Sequence, residues 1–216
     1  MTNPLSVRGM ARSRRRQREE ALWESADTFE AVCDLTARWI EGGLIHHPGY
    51  GADEVDDETL PIRDTLVALN RAGCLTYGSE PADAGDNLYG STGLPWRCRS
   101  NMFAWIAEPR LLYLLDDVCR SHGLWMVTAP AEHGTITDGY YWTLEADGQP
   151  VDVAHADELE APGRDEIWFP HEAAAEQVLA ATWVRVIDPD FDAGMRMWRA
   201  LDTVARIRAR ARWAAV

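Results

Sequence analysis

Lysine is absent from this chain; all 21 basic residues are arginine. Long apolar runs are also missing. None approaches the ~20 residues that a membrane-crossing helix needs. The N-terminal arginines are followed by no apolar segment, so a secretory signal is not expected and cytoplasmic placement is. Cysteine is scarce: Cys33, Cys74, Cys98 and Cys119 are too far apart for CxxC zinc pairs. Buried, reduced thiols are the expectation. The glycines form neither GxGxxG nor GxxxxGK[ST], which removes the nucleotide-binding loops. His46 and His47 are adjacent and so cannot easily converge on one ion. With no HExxH pattern nearby, no metal is expected.

What is present is acid, unevenly spread. The net charge is −14. Residues 1–20 hold six Arg and two Glu, and residues 196–216 hold six Arg and one Asp, so the body between them is strongly negative. Such a body repels nucleic acid, which leaves only the Arg-rich ends as possible contacts for it. Segment 1–21 reads as a disordered Arg-rich arm. At 216 residues the rest is long enough for a sizeable core, and a single mixed α/β ligand-binding domain over 22–213 is expected.

The hydrophobic periodicities supply the elements. A helix over 27–43, capped by Asp27 and ended by Gly42-Gly43, places Phe29, Val32, Cys33, Thr36, Trp39 and Ile40 on one face. Residues 58–81 read as a helix entered near Pro61, a stop at Gly73, a strand from Cys74 to Tyr77 and a turn at Gly78-Ser79-Glu80-Pro81. A glycine-rich polar loop over 86–96 follows, expected to cover a ligand. Helices are expected over 98–107 and 109–122, a strand over 124–129, and a hairpin with arms 140–145 and 150–154. The chain then closes with a helix over 171–181, a strand over 182–190 and a helix from about Asp192. This interleaving argues mixed α+β layers rather than a bundle or a sandwich. The apolar stripe of the last helix suits either the core or a homodimer contact.

In the 58–81 unit, Glu58 and Thr59 lie at the helix entrance, while Thr76 and Ser79 lie at the strand exit. Packing the helix back along the strand would bring all four to one end, where a small polar ligand would sit. Each also has an ordinary structural use: Glu58 or Thr59 to start a helix, Thr76 in a strand, Ser79 in a turn.

The spacing Trp23, Phe29-Glu30-Ala31-Val32, Glu58-Thr59, Leu69-Asn70-Arg71-Ala72-Gly73, Leu75-Thr76, Ser79-Glu80-Pro81 and the late Val184-Arg185-Val186-Ile187-Asp188 resembles a known family. It is similar to the C-terminal regulatory domain of eukaryotic methylenetetrahydrofolate reductase over about 23–200, and to stand-alone actinobacterial proteins of this size. The resemblance implies that fold and a site for S-adenosylmethionine or S-adenosylhomocysteine at Glu58, Thr59, Thr76 and Ser79. A carboxylate would meet the ligand's positive charge, and hydroxyls would serve its carboxylate, ribose or adenine. Two departures stand out: Glu80 replaces the family's Gln, and Leu94-Pro95-Trp96 replaces Gly-Gly-Tyr. Without the flavin-binding barrel the chain is not a folate reductase, and no flavin is expected. The implied role is a sensor or regulatory module with a protein partner. An enzyme acting on an adenosyl or nucleoside ligand, with Glu58, Glu80 and His133 as acids or bases, is one alternative. An acidic protein-interaction domain that has lost the ligand is the other.

Overall fold

A four-stranded antiparallel sheet carries the helices in the computed structural model, which describes residues 4–50, 54–89, 94–151, 153–191 and 194–213. In chain order the elements begin with α1 (Pro4–Glu24), α2 (Phe29–Ile40), a 3₁₀ turn (Asp57–Ile62), α3 (Arg63–Ala72) and β1 (Cys74–Glu80). Next come β2 (Asp83–Tyr89), β3 (Leu94–Cys98), β4 (Asn101–Ile106), α4 (Pro109–His122) and β5 (Trp125–Ala129). Four short strands follow: β6 (Tyr140–Tyr141), β7 (Leu144–Ala146), β8 (Gln149–Val151) and β9 (Ala154–His155). The chain ends with α5 (Glu172–Leu179), β10 (Thr182–Ile187) and α6 (Arg196–Trp213). The main sheet runs β1-β4-β10-β5, a second runs β2-β3-β7-β8, and β6 pairs with β9. The fold is mixed α/β, as expected.

Several local signals act as read. Gly73 (φ 95°) and Gly123 (φ 65°) adopt the left-handed conformation that ends α3 and α4. The β7–β8 hairpin turns at Asp147 (φ 51°) and Gly148 (φ 71°). The α2 cap is Thr28 rather than Asp27: its hydroxyl accepts from the Ala31 amide at 3.2 Å. Asp27 has another task, as its carbonyl accepts from the Gln177 side chain, which joins the start of α2 to α5.

Four expectations are corrected. Segment 1–21 is not a disordered arm; its described part belongs to α1. Arg15–Glu19 (2.7 Å) and Arg16–Glu20 (3.3 Å) pair one turn apart. Tertiary anchors then hold the helix: Glu19 accepts from the Ile45 amide at 2.7 Å, and buried Trp23 donates to the His46 carbonyl at 2.9 Å. The helix expected over 98–107 is strand β4, paired with β1 on one side and β10 on the other. With both faces covered, its apolar run carries no period, and such a run cannot be told from a buried helix by pattern alone. The polar loop over 86–96 is largely the β2–β3 hairpin, and its residues 90–93 lie outside the described part. Finally, β1 runs on through Glu80 instead of turning at Gly78. The last helix starts at Arg196; residues 192–193 lie outside the described part.

The register divides the main sheet into two faces. Cys74, Met102, Ala104, Ile106, Val184 and Val186 share one, with Trp198, Leu201 and Val204 of α6 in the same core. Ile207, at 43% exposure, leaves the stripe of α6. The other face carries Leu75, Phe103, Trp105, Trp183 and Arg185. All four cysteines are buried and none is in a disulfide. Burial pushes the Cys74 and Cys98 thiols up to about 12. Among the described residues no helix is long and apolar enough to cross a membrane.

Candidate functional site

A cavity of about 330 Å³ opens beside β1. Thr76, Tyr77, Gly78 and Ser79 line it from the strand. Asp56, Glu58 and Thr59 line it from the 3₁₀ turn and its approach, and Thr36, Trp39 and Ile40 from α2. His47, Gly49 and Tyr50 come from the loop after α2, and Trp168 and Phe169 from the segment before α5. Thus all four residues singled out in the sequence, Glu58, Thr59, Thr76 and Ser79, border one space.

A bulge makes this possible. Thr76 and Ser79 are three apart, so a regular strand would point them to opposite faces. The β1–β4 register slips between Thr76 (opposite Ala104) and Gly78 (opposite Phe103), and Ser79 then stands opposite Met102. Ala104 and Met102 share a face, so Thr76 and Ser79 do too. The extra residue, Tyr77, goes to the far face and packs edge-on against Trp105 at 5.0 Å. Asn70 fixes the strand just before the slip: its amide donates to the Thr76 hydroxyl at 2.7 Å and its carbonyl oxygen accepts from the Thr76 backbone at 3.2 Å. The Thr76 hydroxyl therefore keeps its own proton to give.

The polar wall has hydrogen-bonding capacity left over. The side chains of Glu58, Thr59 and Ser79 make no hydrogen bond within the described residues, whereas Tyr50 donates to Asp56. Thr36 Oγ1 and Trp39 Nε1 are buried without a partner among the described residues, and both residues border the cavity. Partial burial, followed by the charges of Glu80, Asp56 and Asp83, raises the Glu58 carboxyl above its ordinary value. The hydrogen bond to Asp56 raises the Tyr50 phenol to about 12.

Aromatic rings form the rest of the wall. Trp39 packs against His47 at 4.8 Å and against Tyr50 at 4.8 Å, and Phe169 lies 6.5 Å from His47. The His47 ring borders the cavity yet is enclosed on its other sides by Trp23 and Trp39. Burial and the neighbouring His46 push it down to about 4, so it is neutral near pH 7. Its Nδ1 accepts from the Gly49 amide at 3.1 Å, which puts the proton on Nε2. Gly49 is required where it stands: a Cβ there would lie 2.6 Å from the Trp168 ring.

The other residues raised by the sequence fall elsewhere. Glu80 stands opposite Asn101, on the far face of the strand from Thr76 and Ser79, and accepts from Cys98 and Asn101 at 3.4 Å. His133 packs against Tyr113 at 5.3 Å and does not border the cavity. Of the three acid or base candidates, only Glu58 reaches it. Pro95 and Trp96 lie on β3, paired with β2, with Trp96 also paired with β7. Conversely, sequence reasoning did not select Trp39, His47, Tyr50, Asp56, Trp168 or Phe169 for the site. Trp39 reads as core, His47 as a candidate metal ligand only, and Trp168-Phe169 lie in a stretch with no periodic signal.

The sequence profile of the family described as Domain of unknown function (DUF6919) matches residues 18–206. The chain belongs to that family. The match takes in every element that borders the cavity and leaves the first part of α1 outside. No curated protein matches the chain. The DUF6919 assignment thus defines a family without naming a reaction or ligand, and the cavity is the observation from which function is argued.

Proposed function

We propose that this DUF6919 domain binds a small adenosyl ligand, S-adenosylmethionine or S-adenosylhomocysteine, and works as a cytoplasmic sensor that regulates a protein partner. The observation that carries the reading is the convergence of Glu58, Thr59, Thr76 and Ser79 on one aromatic-walled cavity. Its size falls within the ~300–1,000 Å³ typical of small-molecule sites. In this reading the Glu58 carboxylate meets the ligand's positive charge, and the hydroxyls of Thr59, Thr76 and Ser79 serve its carboxylate and ribose. The aromatic rings cover its adenine. A second reading, an enzyme acting on the same ligand, is favoured by one residue: the raised carboxyl of Glu58 is suited to proton transfer.

Thermal unfolding with S-adenosylmethionine, S-adenosylhomocysteine, adenosine and ATP tests both. A ligand at ~100 times its Kd adds about 2.7 kcal/mol and raises the midpoint. The adenosyl amino acids are expected to do so, and the Ser79→Ala variant is expected to lose about a third of that stabilisation. Chromatography of the incubated ligand separates the readings: intact ligand means a sensor, new products mean an enzyme. No shift with any compound removes the adenosyl reading.

A further inference from the structure

We infer that the cavity selects a ligand bearing an onium cation, a sulfonium or a quaternary ammonium, over the neutral counterpart of the same shape. The inference deepens the adenosyl reading but rests on it only for the ligand's identity, not for its charge. The walls carry it. Among the described lining residues two are carboxylates, Asp56 and Glu58, and none is arginine, in a chain with 21 arginines. Glu58 makes no ion pair within the described residues, and its carboxyl is raised first by partial burial and then by repulsion from Glu80, Asp56 and Asp83. A cation relieves that repulsion; an anion adds to it. His47, the one histidine among the described lining residues, is neutral at pH 7 and does not offset it.

The rings decide what sort of cation fits. An onium centre has no N–H to donate, so hydrogen-bond acceptors alone cannot hold it, whereas the negative faces of aromatic rings can. Trp39 and Tyr50 meet at 56° with centroids 4.8 Å apart, so their faces enclose an angle instead of covering each other. Trp168 is 53% exposed and Tyr50 37% exposed, so both rings keep surface that a guest can cover. Tyr50 donates to Asp56, which binds one ring and one carboxylate of the wall into a unit. Ring faces and uncompensated carboxylates at one cavity are the recognition chemistry of weakly hydrated cations.

The test uses two charged–neutral pairs in calorimetric titration at low salt. One pair is choline and its uncharged isostere 3,3-dimethylbutan-1-ol; the other is S-adenosylmethionine and S-adenosylhomocysteine. The expected result is that the charged member binds about tenfold tighter in at least one pair. Glu58→Gln and Trp168→Ala should each shrink that ratio at least about threefold. Both positions are exposed, so the variants should keep the wild-type unfolding midpoint without ligand. Discrimination within the choline pair without adenosyl binding would support the inference and remove the adenosyl reading. Equal binding of the two adenosyl compounds, with no discrimination by the choline pair, would overturn the inference and keep that reading. A ratio that neither substitution changes, or no binding by any of the four compounds, also overturns it.

Discussion

The two faces of the main sheet treat polar and aromatic side chains in opposite ways. On the far face, aromatic rings and guanidiniums cover each other: Trp105 meets Trp183 at 4.3 Å, and Arg185 lies 4.3 Å over Phe103. Beside it Arg99 sits over Trp142 at 4.4 Å and Phe191 at 4.3 Å, and donates to the Trp142 carbonyl. Arg185 donates to Thr143. There the rings meet cations the protein supplies itself. On the cavity side, among the described residues, Tyr50 and Trp168 have no arginine over them, and Glu58, Thr59 and Ser79 keep their side-chain hydrogen-bonding groups uncommitted. One chain thus uses the same residue types first as packing and then as an open surface. What separates a site from a scaffold here is which partners are already in place, not which residues are present.

The largest expected effect lies on the packed face. Trp105→Ala, at a position 1% exposed, should cost about 3–5 kcal/mol in urea unfolding. A loss below 1 kcal/mol would mean that the ring stack is not the scaffold described.

Next comes the acid response of the cavity wall. His47 takes up a proton near its ordinary 6.5 in the unfolded chain but only at about 4 in the folded one. The unfolded state therefore binds more protons between those values, and stability rises with pH across the window and is lost as pH falls through it. The slope from this residue reaches about 1.4 kcal/mol per pH unit. Comparing unfolding at pH 4.5, 5.5 and 7 for the wild type and His47→Asn isolates it; equal slopes would contradict the enclosed, neutral ring.

Asn70→Ala tests the link between scaffold and site. It frees the buried carbonyl of Leu66 and the amide of Thr76, at a cost of about 2 kcal/mol. Because Asn70 holds β1 beside the bulge, ligand affinity should fall with it, as read by the thermal shift. A stability loss with unchanged affinity would show that the bulge is held by β4 alone.

The smallest stability effect belongs to Ser79→Ala, expected within ~0.5 kcal/mol of the wild type while ligand binding weakens by about 1 kcal/mol. A scaffold role would reverse that order.

Much of the frame was legible in the chain. The helical period and terminal glycines of α3 and α4 marked them, because an amphipathic face and a left-handed stop are local properties. Strands β5 and β10 and helix α5 were legible for similar reasons. β4 was not, since a strand buried on both faces has no alternation to read. Nor was α1, whose composition suits a solvated tail; the contacts that hold it, Glu19 to Ile45 and Trp23 to His46, join it to a loop some twenty residues on.

The sequence by itself determined the mixed α/β layering, the acidic body and the candidate set Glu58, Thr59, Thr76 and Ser79. Tertiary structure alone decided that Thr76 and Ser79 share a face, that Glu80 does not join them, and that Trp168 and Tyr50 complete the wall. The physical reason is register. One extra residue in β1 reverses the direction of every side chain after it, and rings more than a hundred residues apart meet only once the sheet and its helices have packed.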